Sequence, residues 1–284
     1  PFPARMKTNL QIDPVLLSIV LTLLLGGLVI LASASITMSD DLSGNPFYYV
    51  QRQLFAVGIG AAVGFVCLFI PMQVWRSLGP LMLLTGIALL VVVLLPGVGY
   101  EVNGSTRWIR LGGINLQVSE PARLCFLLCL ASYLVRRSKS LRQEFLGFLR
   151  PMIALSVACV LLLAEPDFGA AVILLATALI MMFVAGARIR DFLLFIALAV
   201  LAMGALAATT PYRMKRLTGF LDPWADPFDT GFQLTQSLIA IGRGEWFGVG
   251  LGDSVQKLFY LPEAHTDFVF AVYAEEFGLL GSMV

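Results

Sequence analysis

Histidine occurs once in these 284 residues, at position 265, and charged residues make up only 13% of the chain. A single histidine excludes a multi-histidine metal centre. A soluble domain carries about a quarter charged residues, so this little charge excludes an ordinary water-facing surface. Cysteine is sparse too. Cys67, Cys125, Cys129 and Cys159 all lie in apolar runs with no partner in a polar loop. They read as small buried or lipid-facing thiols, not as a disulfide framework. Repeats and low-complexity tracts are missing, and no cleavable signal peptide is evident, because the first apolar run is too long and no small-residue cleavage site follows it. A net charge of +1 leaves no bulk attraction to nucleic acid.

What is abundant is apolar. Hydrophobic residues form 58% of the chain, and a membrane span needs about 20 mostly apolar residues. Candidate spans run near 14–36, 51–71, 77–96, 118–135, 148–164, 168–187 and 191–210, and an eighth begins at 266–284. The runs are apolar on all sides and lack the alternation of a β-barrel. The expected fold is an all-α integral membrane protein, a polytopic helix bundle in one transmembrane domain, 1–284. The chain stops at Val284 just after an apolar start, so further spans are expected beyond it.

The loops set the orientation. Arg5, Lys7, Arg76, Arg136, Arg137, Lys139, Arg142, Arg150, Arg188 and Arg190 fall on one side if every span crosses, 10 of the 19 Lys and Arg. That side is expected to be cytoplasmic, with the N-terminus on it. The opposite side receives Asp40 and Asp41, the loop 97–117 and one long segment, 211–265. A loop of this length is usually functional or disordered. Its aromatic residues argue against disorder, and 232–241 reads as a short amphipathic helix.

Ionisable groups in or beside a span default to function. Thr266 and Asp267 would sit at the start of the last helix, either as a cap or with Asp267 as a general base at the water boundary. Glu165-Pro166-Asp167-Phe168-Gly169 breaks two apolar runs, as a tight turn or as a functional acidic site. Glu120 and Arg123 are three apart and share a helical face, as an intramembrane ion pair or a substrate contact. Arg107, Arg213, Lys215, Arg216, Arg243 and Lys257 place cations outside, as ordinary loop solvation or as a site for an anionic phosphate head group. Together they point to chemistry on, or transport of, a phosphate-bearing lipid.

The chain resembles the SEDS family of shape, elongation, division and sporulation proteins, its division branch more than its elongation branch. The resemblance rests on Gly231-Phe232-Gln233-Leu234-Thr235-Gln236-Ser237-Leu238, Gly242-Arg243-Gly244, Ser254-Val255-Gln256-Lys257, Leu261-Pro262-Glu263-Ala264-His265-Thr266-Asp267-Phe268 and Glu275-Glu276. Gly104-Ser105-Thr106-Arg107-Trp108-Ile109 and the Glu165–Gly169 motif support it. It covers essentially the whole chain. Val118 stands where the family usually has Pro, and Arg123 where it usually has Lys. The family has ten spans, so the resemblance also implies a truncated chain.

The resemblance implies a peptidoglycan glycosyltransferase that polymerises lipid II into β-1,4 glycan strands at the outer face of the cytoplasmic membrane, at the division septum. Asp267 matches the family's essential acid, as base for the acceptor hydroxyl. The cations named above would steady the leaving pyrophosphate, and Glu165, Asp167, Glu120, Arg123, Gln236 and His265 are expected to join the substrate site. Mg²⁺ or Mn²⁺ would suit carboxylate and phosphate oxygens, although the residues assign no metal. The implied partners are a class B penicillin-binding protein, FtsQ, FtsL, FtsB and other divisome proteins. A lipid II flippase and a divisome scaffold remain open alternatives.

Overall fold

The computed structural model describes residues 13–102, 105–111, 114–208, 219–229, 231–258 and 260–283. Packing divides the chain into two compact units, residues 1–69 with 207–284, and residues 70–206.

In the first unit, α1 (Pro14–Ser43) starts on Asp13, whose carboxylate accepts the amides of Val15 and Leu16 at 2.9 and 3.3 Å, and ends on Gly44 at φ 66°. Pro14 at the first helical position loses no hydrogen bond there. Thirty residues span about 45 Å, well beyond a hydrocarbon core of about 30 Å. The surplus carries Asp40 and Asp41 inside the helix, not in a loop after it. A second helix, α2 (Tyr48–Leu68), packs beside α1. Both expose apolar side chains along most of their length, as lipid-facing helices must. The long outer segment contains a loop helix, Phe232–Arg243, and leads into the last helix, Val269–Ser282. The two pack together around Ala240, Ala271 and Val272.

The second unit holds α3 (Met72–Ser77), α4 (Gly79–Val93), α5 (Ser119–Arg136), α6 (Ser138–Gln143), α7 (Phe145–Ala164), α8 (Phe168–Val184) and most of α9 (Ile189–Ala208). Its core joins large side chains such as Phe126, Phe148, Met152 and Leu174 with Ala122, Ala158, Ala171 and Ala178. Small residues let helices approach closely where lipid offers no hydrophobic drive of its own. Between α4 and α5 lies an antiparallel sheet of β1 (Tyr100–Val102), β2 (Ser105–Leu111) and β3 (Ile114–Gln117), in the order β1-β2-β3. Trp108 pairs with both Tyr100 and Gln117 across it.

The chain is a polytopic membrane protein. Among the described residues three helices, α1, α2 and α7, are long and apolar enough to cross a bilayer by length and composition, and α4 and α8 are shorter apolar helices.

Candidate functional site

Each unit carries its own polar cluster. In the first unit, Glu275 and Glu276 lie side by side in the last helix, and both are buried. Neighbours in a helix point in different directions, so they reach different partners. Glu275 accepts from the Ser254 hydroxyl, the Val255 amide at 3.2 Å and Arg243 Nη1 at 3.3 Å. Glu276 Oε1 lies 2.9 Å from Lys257 Nζ and 2.7 Å from the Ser33 hydroxyl of α1. Lys257 Nζ also donates to Ser33 Oγ at 3.1 Å. A buried charge needs this many partners to offset its desolvation.

The backbone explains why the two carboxylates sit here. The last helix breaks at Gly278, with φ 68° and ψ −168°. Its amides turn to the segment after the loop helix. Leu279 N–H donates to the Glu245 carbonyl at 2.8 Å and Leu280 N–H to Trp246 at 3.1 Å, while Val249 and Gly250 N–H donate to Glu275 and Glu276 carbonyls at 3.0 and 3.1 Å. Gly248, at φ +79°, passes so close that an added Cβ would lie 2.1 Å from the Glu276 carbonyl oxygen.

Asp267 lies in the turn before this helix and is exposed. The sequence suggested a Thr266 cap with Asp267 in the first turn. Instead the helix begins at Val269, and its cap residue, Phe268, provides no side-chain hydrogen bond. Thr266 turns back to Glu263, its hydroxyl 2.8 Å from Oε2. The Thr266 and Phe268 amides donate to the Glu263 carbonyl at 3.1 and 3.2 Å. This closed turn leaves the Asp267 carboxylate with no hydrogen bond or ion pair among the described residues. His265 is buried, its ring 4.4 Å from that of Tyr49. Burial pulls its pKa below the ordinary histidine value, with Glu263 opposing in part.

In the second unit the cluster centres on Asp167. Its carboxylate accepts the Ala170 amide at 3.1 Å, capping α8, and the Ser119 hydroxyl at 3.2 Å, and it lies 3.4 Å from Arg107 Nη1. The sheet thus brings Arg107 to the α7–α8 turn, and Ser105 binds the Glu165 carbonyl of the same turn at 2.5 Å. The Glu165 side chain is fully buried, and neither carboxylate oxygen has a hydrogen-bond partner among the described residues. Burial first, then the charge of Asp167, pushes its pKa up to about 8 against the pull of Arg107. The Arg107 Nε and Trp108 Nε1 donors are also buried without a partner among the described residues.

The expected site residues therefore divide between the two units. Arg107, Glu165 and Asp167 share one cluster. Glu120 and Arg123 form the ion pair their spacing predicts, with Glu120 half exposed. Arg243 and Lys257 do not stand as free outer cations: Lys257 is buried on Glu276, its side chain 8% exposed, and Arg243 reaches Glu275. Gln236 is half buried on the loop helix. Arg213, Lys215 and Arg216 lie outside the described residues. Sequence reasoning took Glu275 and Glu276 only as part of a motif. Their signal was there, two adjacent carboxylates in an otherwise apolar helix. Among the described residues, no group of three or more His, Cys, Asp or Glu could hold a metal ion.

Comparisons with known proteins agree with one another. A family model described as "Cell cycle protein", covering FtsW, RodA and SpoVE, matches residues 14–284. The chain is 57% identical over 265 residues to a protein of Thioalkalivibrio sulfidiphilus named probable peptidoglycan glycosyltransferase FtsW, covering 93% of this chain and 66% of that one. It is 50% identical over 276 residues to the protein of the same name from Hahella chejuensis, covering 97% and 70%. The chain thus spans about two thirds of the length of these relatives. Among solved structures, a chain from a study of how a peptidoglycan synthase complex coordinates polymerization and crosslinking matches with a TM-score of 0.71 and 28% identity, over 96% of this chain and 74% of that one. The Thermus thermophilus rod shape determining protein RodA matches with a TM-score of 0.63 and 26% identity, over 96% and 70%. With nearly its whole length matched by that model, this chain belongs to the FtsW/RodA/SpoVE family of cell cycle proteins, the SEDS family.

Proposed function

We propose that this chain is the membrane core of a peptidoglycan glycosyltransferase, one that joins lipid II units into β-1,4 glycan strands at the outer face of the membrane and at the division septum. The relatives' name supports the reaction. The observation that carries the site is Asp267: an exposed carboxylate at the mouth of a membrane helix, held by a closed turn and left without a partner among the described residues. A general base needs free lone pairs within reach of the hydroxyl it activates. Asp267 takes the proton of the acceptor's sugar hydroxyl, that oxygen attacks the donor's anomeric carbon with inversion, and the lipid pyrophosphate leaves.

Charge builds on the pyrophosphate, and fixed cations would stabilise it. Among the described candidates in the unit that carries Asp267, Arg243 keeps part of its guanidinium exposed, so it suits this role better than buried Lys257; in the other unit Arg107 is also partly exposed. Mg²⁺ or Mn²⁺ would suit the substrate's phosphate oxygens; the buried, protonated Glu165 is no ligand for such an ion. Residues 1–284 form a single transmembrane domain. The transpeptidase partner is a class B penicillin-binding protein, by analogy with the solved complex that joins polymerization to crosslinking, and FtsQ, FtsL, FtsB and other divisome proteins regulate the pair. The N-terminus faces the cytoplasm.

The test is polymerisation of labelled lipid II by the full-length protein with its partner. Glycan strands are expected from the wild type and none from Asp267→Ala. Equal strand synthesis by both would overturn the assignment. A flippase would instead move labelled lipid II between leaflets without making strands, and a scaffold would support division with Asp267→Asn.

A further inference from the structure

The loop helix Phe232–Arg243 is turned inside out. It buries Thr235, Ser237 and Ala240, while Leu238, Ile239 and Ile241 are 40–43% exposed. A helix on a water-facing surface does the reverse. The buried polar side is satisfied from within. The Thr235 hydroxyl donates to the Pro223 carbonyl at 3.1 Å, and the Ser237 hydroxyl to the Leu234 carbonyl at 2.8 Å. Ala240 belongs to the unit's apolar core. The outward apolar face is thus part of a well-packed arrangement.

The chain on either side extends this face. Phe228 is 89% exposed and Phe247 82%, and Trp224 and Trp246 are also exposed. Exposed apolar surface of this extent marks an interaction site. Exposed Asp222, Asp226 and Asp229 alternate with the aromatics on the N-terminal side. Carboxylates do not enter hydrocarbon, so these acids stay on the water side, while Trp belongs at the headgroup level and Phe and Leu form the apolar face of helices lying there. The helices α1 and α2 of the same unit already face lipid.

We propose that residues 220–229 and 231–247 form an interfacial membrane element, with Leu238, Ile239, Ile241, Phe228, Trp246 and Phe247 seated at the headgroup–acyl boundary of the bilayer that α1 and α2 cross. Its occupant is phospholipid. The segment is no water-borne loop; it lies in the plane of the membrane as an amphipathic helix does. This holds whether or not the chain polymerises lipid II.

The test uses full-length protein in phospholipid vesicles. A single-tryptophan form keeps Trp246, with every other tryptophan, Trp75, Trp108 and Trp224 among them, replaced by Phe. Lipids brominated near the headgroup should lower its emission about twofold, and lipids brominated near the chain end should lower it less, as expected for a side chain at the boundary. Strong quenching by aqueous acrylamide, with none by brominated lipid, would overturn the proposal. A nitroxide on Phe228→Cys, with the native cysteines replaced by Ala, gives an independent reading. Collisions with oxygen should exceed those with a water-soluble nickel complex, and the opposite ratio would overturn it. Absence of lipid contact in both reporters sinks the idea equally, whether water, another part of the protein or a partner covers the face.

Discussion

Asp267 owes its free carboxylate to Glu263, which gathers Thr266 and the Phe268 amide into one closed turn. Replacing Asp267 with Asn keeps the shape and removes the base, so strand synthesis should fall by about 10²–10⁴-fold while the melting temperature in detergent stays unchanged. Glu165 makes a different prediction. Folded, it holds its proton up to about pH 8, whereas its ordinary value is 4.5. The folded state binds the extra proton between those values, so this contribution to stability is complete below pH 4.5 and is lost as pH rises through 8. Glu165→Gln cannot ionise. Its melting temperature should therefore vary less between pH 5 and 8, ending above the parent by about 5 °C at the alkaline end. A parent curve that rises with pH over this range would contradict it.

The elements test the packing argument. Lys257 and Glu276 are buried against each other, so removing one leaves an uncompensated charge at a cost of about 3–5 kcal/mol. Lys257→Met and Glu276→Gln should each lower detergent stability strongly. The double variant should recover part of the loss, and simple additivity would show that the pair is not coupled. Gly248→Ala forces a Cβ against the Glu276 carbonyl at a positive φ, and should cost about 1–3 kcal/mol by thermal denaturation. The apolar spans behind these elements were legible in the sequence because lipid demands long unbroken runs, and the loop helix because its period is clear. The sheet was not. Its strands are only three to seven residues long and carry Arg107, Arg110 and Asn115, without a clean alternation. The Gly278 break was equally hidden, since glycine is common in membrane helices and the break depends on a distant loop to pair its amides. Asp267 could be singled out, but not the turn that frees it, which depends on the side chain of Glu263.

At the scale of the whole molecule, the uneven spread of Lys and Arg makes the topology testable. With the native cysteines replaced by Ala, a cysteine at Asp41 should react with a membrane-impermeant maleimide in intact cells, and one at Lys139 only after permeabilisation. The reverse pattern would invert the proposed orientation. The paired break at Gly278 bears on how such a molecule is built. Alone, the last helix would enter the bilayer with the amides of Leu279 and Leu280 and the carbonyls of Glu275 and Glu276 lacking their partners, and with two carboxylates uncovered. All of these are supplied by chain made earlier, from Ser33 to Lys257. Biogenesis therefore has an order: the outer segment must fold back before the last helix can leave the translocon as a stable span. A lesion at Gly248 should show first as failed insertion, and only then as lost activity.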